Sequence, residues 1–122
     1  MKSLNTAVYT ALTGDLTTSA IVTGRIYYMH PPDFNTLPSI SYFEIENAGN
    51  LFADDVEVGS EIMIQVDLWS KTSNTALAIA VDDVMVGVGF VRMSGGSDYY
   101  ETETRIYHKV MRYKQDYQDP DF

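Results

Sequence analysis

The stretch EIMIQVDLWSKTSNTALAIAVDDVMVG, residues 61–87, decides the fold class because its pattern changes from that of a strand to that of a helix. Its first part, 61–69, alternates with a period of two, which is typical of a half-buried β-strand. The residues predicted to face a core are Ile62, Ile64, Val66 and Leu68. The residues predicted to face a less apolar side are Met63, Gln65, Asp67 and Trp69.

The second part, 73–87, predicts the main helix, with Ser73 or Asn74 as its N-cap. The predicted core stripe consists of Ala76, Leu77, Ala80, Val81 and Val84. Ile79 and Val86 lie off that stripe, so the helix is apolar on more than one side. Two explanations remain open: the small alanines pack closely on a sheet, or a second subunit covers the outer face of the helix.

The first half of the chain consists of short elements separated by turn signals. The predicted elements are a helix over 3–13, one short helical turn within 17–24, and strands over 25–30 and 38–46. Ser3 is the predicted N-cap of the first helix, and Gly14 fits the position just past its end. The sequence NAGN, 47–50, is the predicted terminator of the second strand, and the acidic segment 53–61 is either an exposed loop or a strand extension.

The remaining predicted elements are a short strand over 89–93, a hairpin loop over 94–98 and one long strand over 99–113. The element order is therefore α, β, β, β, α, β, β. It predicts a single α+β domain over 1–114, with two main helices packed on one mixed or antiparallel β-sheet of about five strands. Residues 115–122 are expected to form an acidic, mobile C-terminal tail.

The composition and charge of the chain argue against several classes of function. The chain has 122 residues, no cysteine, and 17 acidic against eight basic residues, for a net charge of −9. This balance argues against non-specific binding to nucleic acid or anionic lipid. The N-terminus has no secretory-signal pattern, and no apolar run approaches the roughly 20 residues that span a bilayer. We therefore expect a soluble, intracellular protein without a membrane partner.

Catalytic, cofactor-binding and metal-binding residues are not expected. The sequence has no phosphate-binding GxxxxGK[ST] loop, and SGGS, 94–97, is not the GxSxG of a nucleophile elbow. His30 and His108 are too few and too separated for a histidine metal site, and a hydrogen-bonded sheet histidine explains His108 better than a proton shuttle. Asp82 and Asp83 are neighbours on a helix, so their carboxylates diverge. The sequence therefore does not predict an enzyme.

Half of the basic residues lie in TETRIYHKVMRYK, 102–114, which raises the question of a nucleic-acid surface. On a single strand, Arg105 and Lys109 would share a face with Glu101 and Glu103, whereas Arg112 would lie on the other face. The basic residues are therefore mixed with acids and do not form a positive stripe. Cross-strand pairing, or contact between copies of an acidic protein, explains this composition better than nucleic-acid recognition.

Four fragments in this order resemble a known family. GRIYY, LPSISYFEI, IQVDLWSKTSNTALAIA and YYETETRIYHKVMRYK are similar to the tail-completion, or tail-to-head joining, proteins (tail terminators) of long-tailed bacteriophages and prophages. The resemblance runs from about Leu4 to Lys114. Each fragment is weak by itself, and their order and spacing carry the likeness. The acidic extension after Lys114 has no match in the family pattern.

The resemblance implies a structural virion protein that acts without a cofactor. Members of the family are similar in fold to the tail terminator of phage lambda, an α+β domain that assembles as a ring of six. By resemblance, the chain caps the head-proximal end of the tail tube, stops tube growth and joins the tail to the head. Its implied partners are its own copies in a homo-hexameric ring, the tail tube protein and the head connector or stopper protein. Genomic DNA would pass through the ring without sequence-specific binding, and assembly would take place in the host cytoplasm.

Two charged segments are the predicted subunit interface. The acidic residues are Asp54, Asp55 and Glu57, and the basic residues are Arg105, Lys109 and Arg112. Pairing between neighbouring subunits would direct ring closure, and pairing within one chain is the open alternative. Two other functions also remain open: another neck or tail-tube subunit, which polymerises without limit, and a small soluble ligand-binding domain, which needs a closed apolar pocket.

Overall fold

The computed structural model describes residues 1–93 and 96–118 of the chain. Its elements, in chain order, are α1 (Asn5–Gly14), α2 (Leu16–Val22), β1 (Ile26–Tyr28), β2 (Ser39–Ala53), β3 (Val56–Ser70), α3 (Thr75–Gly87), β4 (Val91–Arg92), β5 (Ser97–Glu101) and β6 (Ile106–Gln118). The three helices pack on one face of a single sheet and enclose the core with it.

The sheet is mixed and has six strands in the described part of the chain. The strand order is β1-β2-β3-β6-β4, and β5 pairs with the same edge of β6 as β4 does. β1 runs parallel to β2, and the other pairs are antiparallel. The predicted α+β class is confirmed. The additional helix and strand arise because the 17–24 region forms a full helix and the 99–113 region forms two strands.

The core alternation predicted for β3 is confirmed. Its four inward side chains are all 0% exposed: Ile62, Ile64, Val66 and Leu68. In α3, Leu77, Ala80 and Val81 are buried as predicted. Ala76 is exposed, however, and Ala78 and Met85 are buried instead. The buried stripe of α3 is therefore rotated slightly from the predicted one.

Asp15 explains why α2 is longer than the single predicted turn. Its carboxylate accepts hydrogen bonds from the Thr18 backbone N–H at 2.9 Å and from Thr18 Oγ1 at 2.7 Å. These bonds lower the pKa of Asp15, and they satisfy a backbone donor that the start of a helix leaves free. α1 begins at Asn5 and includes Gly14, one or two residues later at each end than predicted.

The prediction that NAGN, 47–50, ends the second strand is wrong. These residues lie inside β2, which continues until the chain reverses at Asp54 and Asp55. Both aspartates have left-handed φ angles, 50° and 63°. Two successive positive φ values make a type I′ turn, whose twist matches that of the flanking strands. The acidic segment 53–61 is therefore mostly a strand extension, the second of the two interpretations left open.

The prediction of one continuous strand over 99–113 is also wrong. β5 ends at Glu101, and residues 102–105 form a turn before β6. The Arg105 N–H donates to the Glu101 carbonyl at 2.8 Å, and Arg105 itself has a φ of 60°. The turn reverses the chain, so Arg105 does not share a strand face with Lys109.

β6 continues past Lys114, where the domain was predicted to end. It reaches Gln118, whose Cα partner on β3 is Gly59. Residues 94–95 and 119–122, which belong to the predicted hairpin loop and the predicted tail, lie outside the described residues.

Candidate subunit interface

The end of the β2–β3 hairpin projects from the sheet as a two-stranded ribbon. Among the residues that the structure describes, β1 pairs only with the start of β2 and β6 follows β3 only to Gly59, so no third described strand lies beside residues 50–58. We call these residues the hairpin tip. Leu51, Phe52 and Val56 are 41%, 61% and 62% exposed there. A two-stranded ribbon cannot bury such side chains by itself, and exposed apolar clusters mark contact surfaces.

The hairpin tip carries the three acidic residues of the predicted interface. Glu57 is engaged within the chain, because it accepts a hydrogen bond from Ser60 Oγ at 2.8 Å and pairs with the N-terminal ammonium at 3.0 Å. These contacts lower the pKa of Glu57. Asp54 and Asp55 form no ion pair with any residue that the structure describes. The outermost point of the tip therefore presents two unpaired carboxylates.

The three basic residues of the predicted interface lie on or beside β6. Arg105 is exposed in the turn before the strand. Lys109 Nζ donates to Asp98 Oδ1 at 3.1 Å, and Arg112 Nε donates to Gln65 Oε1 at 3.3 Å. Two of the three basic side chains therefore have partners within the chain, and both partners are polar groups at the surface.

The acidic and basic sets lie far apart in one molecule. β3 pairs with β6 from Gly59–Gln118 at one end to Ser70–Tyr107 at the other, and Arg105 lies beyond that far end. With a rise of about 3.3 Å per residue, the tip turn is roughly 35 Å from Arg112, about 45 Å from Lys109 and about 50 Å from Arg105. Pairing of the two sets within one chain, the open alternative, is excluded by this distance. If the two sets meet, they meet between copies.

The sheet face opposite the helices carries a cluster of aromatic and polar side chains. His108 Nε2 lies 2.8 Å from Oδ1 of Asp67, which is only 4% exposed. The Trp69 ring stacks on His108 with centroids 3.6 Å apart, and Phe34 meets Trp69 edge-on at 4.9 Å. Trp69 Nε1 donates to Ser41 Oγ at 3.0 Å. These contacts fix both rings and confirm the hydrogen-bonded sheet histidine.

Sequence reasoning missed this cluster as a unit. Its members come from three separate segments, and they meet because the register sets Trp69 opposite His108. The β3 alternation does place Asp67 and Trp69 together on the less apolar face. No local pattern could supply their partner on β6.

The outer face of α3 is open in the described part of the chain. Ile79 and Val86 are 62% and 55% exposed, as their position off the core stripe predicts. Ala78 and Ala80 are buried. The outer apolar face of α3 is available to a second subunit.

Asp82 and Asp83 diverge around α3 as predicted. Asp83 is exposed, whereas Asp82 Oδ1 accepts a hydrogen bond from the buried Tyr113 hydroxyl at 2.8 Å. Arg92 Nη1 lies 3.7 Å from the other carboxylate oxygen. Burial, and next the bond to Asp82, raise the pKa of Tyr113 far above its usual value.

The raised pKa of Tyr113 predicts that the folded protein loses stability at alkaline pH. Because the pKa of Tyr113 is raised from 10.0 in the folded state, the unfolded chain loses this proton first as the pH rises. The free energy of unfolding should therefore fall above about pH 10. Urea unfolding at pH 9 and pH 11 measures this change. The Tyr113→Phe variant should lose less stability between the two pH values than the unmodified chain, and an equal loss would contradict the assignment.

The described residues contain no group of three or more His, Cys, Asp or Glu side chains that could hold a metal ion. No helix among them has the length and apolar content needed to cross a membrane.

The fold is shared with a virion component. The chain matches a chain from a structure described as the virion of a native gene transfer agent (GTA) particle, with a TM-score of 0.73. The two are 17% identical, and the match covers 91% of each chain. At this identity the match establishes a common fold. The class is thus a small α+β domain of a kind found in a virion particle.

The family model for the tail completion protein gp17 matches residues 6–117, which is nearly the whole chain. The chain belongs to this family and is a structural protein of a phage tail, so the resemblance found in the sequence is confirmed. None of the curated proteins compared matches the chain.

Proposed function

We propose that this protein forms a closed ring on the head-proximal end of the tail tube. The ring ends tube growth and joins the tail to the head connector or stopper protein. Membership of the tail completion family is the observation that carries this proposal. The acidic hairpin tip and the basic residues of β6 supply the complementary surfaces that a ring needs.

The separation of the two charged sets is compatible with a ring. When the two patches of one molecule bind two different neighbours, the contact is head-to-tail, and it repeats from copy to copy. Such a series closes into a ring if the rotation per subunit permits it, and otherwise forms an open filament. Asp54 and Asp55 on one copy would face Arg105, Lys109 or Arg112 on the next. We propose six copies per ring, as the family resemblance implies.

The charge of the protein suits a passage for DNA. Each copy carries a formal charge of −9, so a ring of copies has a negative field that repels the phosphate backbone. DNA would therefore move through the bore without adhering to it and without sequence-specific contacts.

Particles assembled in a host that lacks this protein test the proposal. Electron microscopy should show overlong tails and tails without heads, because tube growth has no terminator and the joint is missing. Tails of normal length joined to filled heads would overturn it. A complete absence of tubes would also overturn it, because that result would identify a tube subunit.

Charge reversal tests the predicted interface. The double variant Arg105→Glu and Lys109→Glu should shift the protein from rings towards monomers in sedimentation velocity, with the largest effect at low salt. We expect association at least tenfold weaker, because each basic group would then repel the neighbouring tip.

A matched control distinguishes the effect of where the charges are reversed from the effect of the changed net charge. Lys2→Glu with Lys114→Glu also reverses two charges, so both double variants change the net charge from −9 by four units, to −13. The control should keep most of its association because neither residue belongs to the predicted basic set. Equal loss in both variants, or loss in neither, would count against the interface.

A further inference from the structure

A groove runs along the exposed side of α3, at the opposite end of the sheet from the hairpin tip. It has two adjoining parts of about 360 and 470 Å³, which share Ala78, Ile79 and Lys109. One wall is α3, and the other is formed by β5 and β6. Tyr107 of β6 also lines the groove and is 41% exposed. We call this depression the α3 groove.

We propose that the α3 groove receives the hairpin tip of a second copy of this chain. The inference rests on the proposed ring and specifies its contact: Phe52 and Val56 would pack on Ile79 and Tyr107. The tip exposes apolar side chains that its own ribbon cannot bury, and the groove presents an apolar floor that the described residues leave open. Packing these surfaces together removes both from water.

The tip also brings acids to the cations of the groove. Residues 50–58 contain three acids and no lysine or arginine. Arg92 and Lys109 line the groove, whereas the Arg112 side chain bonds Gln65 on the other face of the sheet. Three acids also line the groove: Asp82 binds Tyr113, Asp98 binds Lys109, and Asp83 is exposed. The aspartates of an incoming tip would share Lys109 with Asp98, which is 76% exposed.

A buried amide oxygen in the groove also lacks a hydrogen-bond partner among the described residues. Asn74, only 6% exposed, lines the wider part. Its Nδ2 donates to the carbonyls of Leu68 and Tyr107, at 3.3 and 3.1 Å, whereas its Oδ1 is buried without a hydrogen bond. A backbone N–H or another donor from a docked segment would satisfy that oxygen, and an unsatisfied buried acceptor costs roughly a hydrogen bond.

The tip docks through its side chains and not by adding a strand. β2 has register irregularities between Glu44 and Glu46, between Gly49 and Leu51, and between Leu51 and Phe52. Bulges of this kind bend an edge strand and prevent it from pairing with another sheet. Contact through the tip side chains remains available, and the molecule's own groove is out of reach of its own tip.

Disulfide trapping tests the contact directly because the chain has no cysteine. A Phe52→Cys chain mixed with an Ile79→Cys chain should give cross-linked dimers on oxidation, both at high protein concentration and on tail tubes. Mixing Phe52→Cys with Val86→Cys is the matched control, since Val86 is exposed on the same helix but does not line the groove. Each cysteine variant by itself should remain uncross-linked.

A second pair of variants measures the strength of the contact. Ile79→Asp should weaken association at least tenfold, and Val86→Asp should leave it nearly unchanged. Both positions are exposed, so both variants should fold, as circular dichroism would verify. Trapping through Phe52 and Val86, trapping by Phe52→Cys alone, or no trapping under either condition would overturn the inference.

These outcomes are separable from those of the proposed function. Overlong tails without the protein, combined with failed trapping, would leave the ring function standing and remove the groove contact. Normal tails without the protein, combined with successful trapping, would remove the ring function and leave the contact between the hairpin tip and the α3 groove.

Discussion

A chain that lacks residues 51–58 is expected to fold and to lose ring assembly completely. The deleted residues form most of the hairpin tip, which lies outside the helix–sheet core. The tip holds the exposed apolar side chains and the two free aspartates that we assign to contact with the next copy. Sedimentation velocity should find monomers, and complementation with this chain should leave tails overlong.

After the deletion, the remaining backbone can still close the β2–β3 hairpin. Gly49 and Ser60 are already Cα partners, so joining Asn50 to Gly59 leaves a two-residue loop between them. The new loop is Asn-Gly, the sequence that most strongly favours a type I′ hairpin turn. The hairpin should therefore close in its present register.

The stability cost of the deletion should be modest. Val58 is the buried apolar side chain of the tip, and its loss should cost roughly 1.5–3 kcal/mol. The Ala53→Ser variant is the control, since it keeps the tip length and both aspartates. It should form rings. Rings of normal size from the shortened chain would contradict the role of the tip.

The second large effect is expected in the core. Ile64→Ala should lower the free energy of unfolding by about 2–5 kcal/mol, because Ile64 is buried in the central strand and the surrounding side chains cannot collapse fully into the space. A domain of this kind has a total stability of about 5–15 kcal/mol, so the variant is near the limit of folding. Urea unfolding with a single transition measures the difference.

Ile79→Ala is the matched control for this substitution. It removes the same atoms from a side chain that is 62% exposed, so the expected change is within about 0.5 kcal/mol. Similar losses for both variants would mean that Ile64 does not hold the central position in the core that the structure gives it.

The elements that could be predicted are those in which the pattern is local. The alternation from Ile62 to Leu68 and the apolar stripe of 73–87 depend only on the spacing of neighbours along the chain. Both were confirmed, with a small rotation of the helix stripe. The α+β class followed from their order, because a core-facing strand followed by an apolar helix needs a sheet to pack on.

The two turns were missed because their residues do not carry the usual signals. Asp54 and Asp55 adopt left-handed φ angles without a glycine, and the tip is exposed on both faces, so no alternation marks its strands. The turn over 102–105 consists of Thr, Glu and Arg, which are compatible with a strand. Glycine or proline at either place would have indicated a reversal.

The arrangement of the interface residues required the tertiary structure. The sequence indicated opposite charges on two segments, and it left open whether these pair within one chain. The β3–β6 register decides this point, because it sets Arg112 opposite Gln65 and Gly59 opposite Gln118. The α3 groove is likewise invisible to local patterns, since its two walls lie in separate parts of the chain.

Cryo-electron microscopy of purified tail tubes bearing this protein tests the central claim most directly. We expect one closed ring at one end of the tube, with the Phe52 tip of each copy seated against Ile79 of the next. A stack of rings continuing along the tube, or separate subunits whose tips touch only the tube protein, would contradict it.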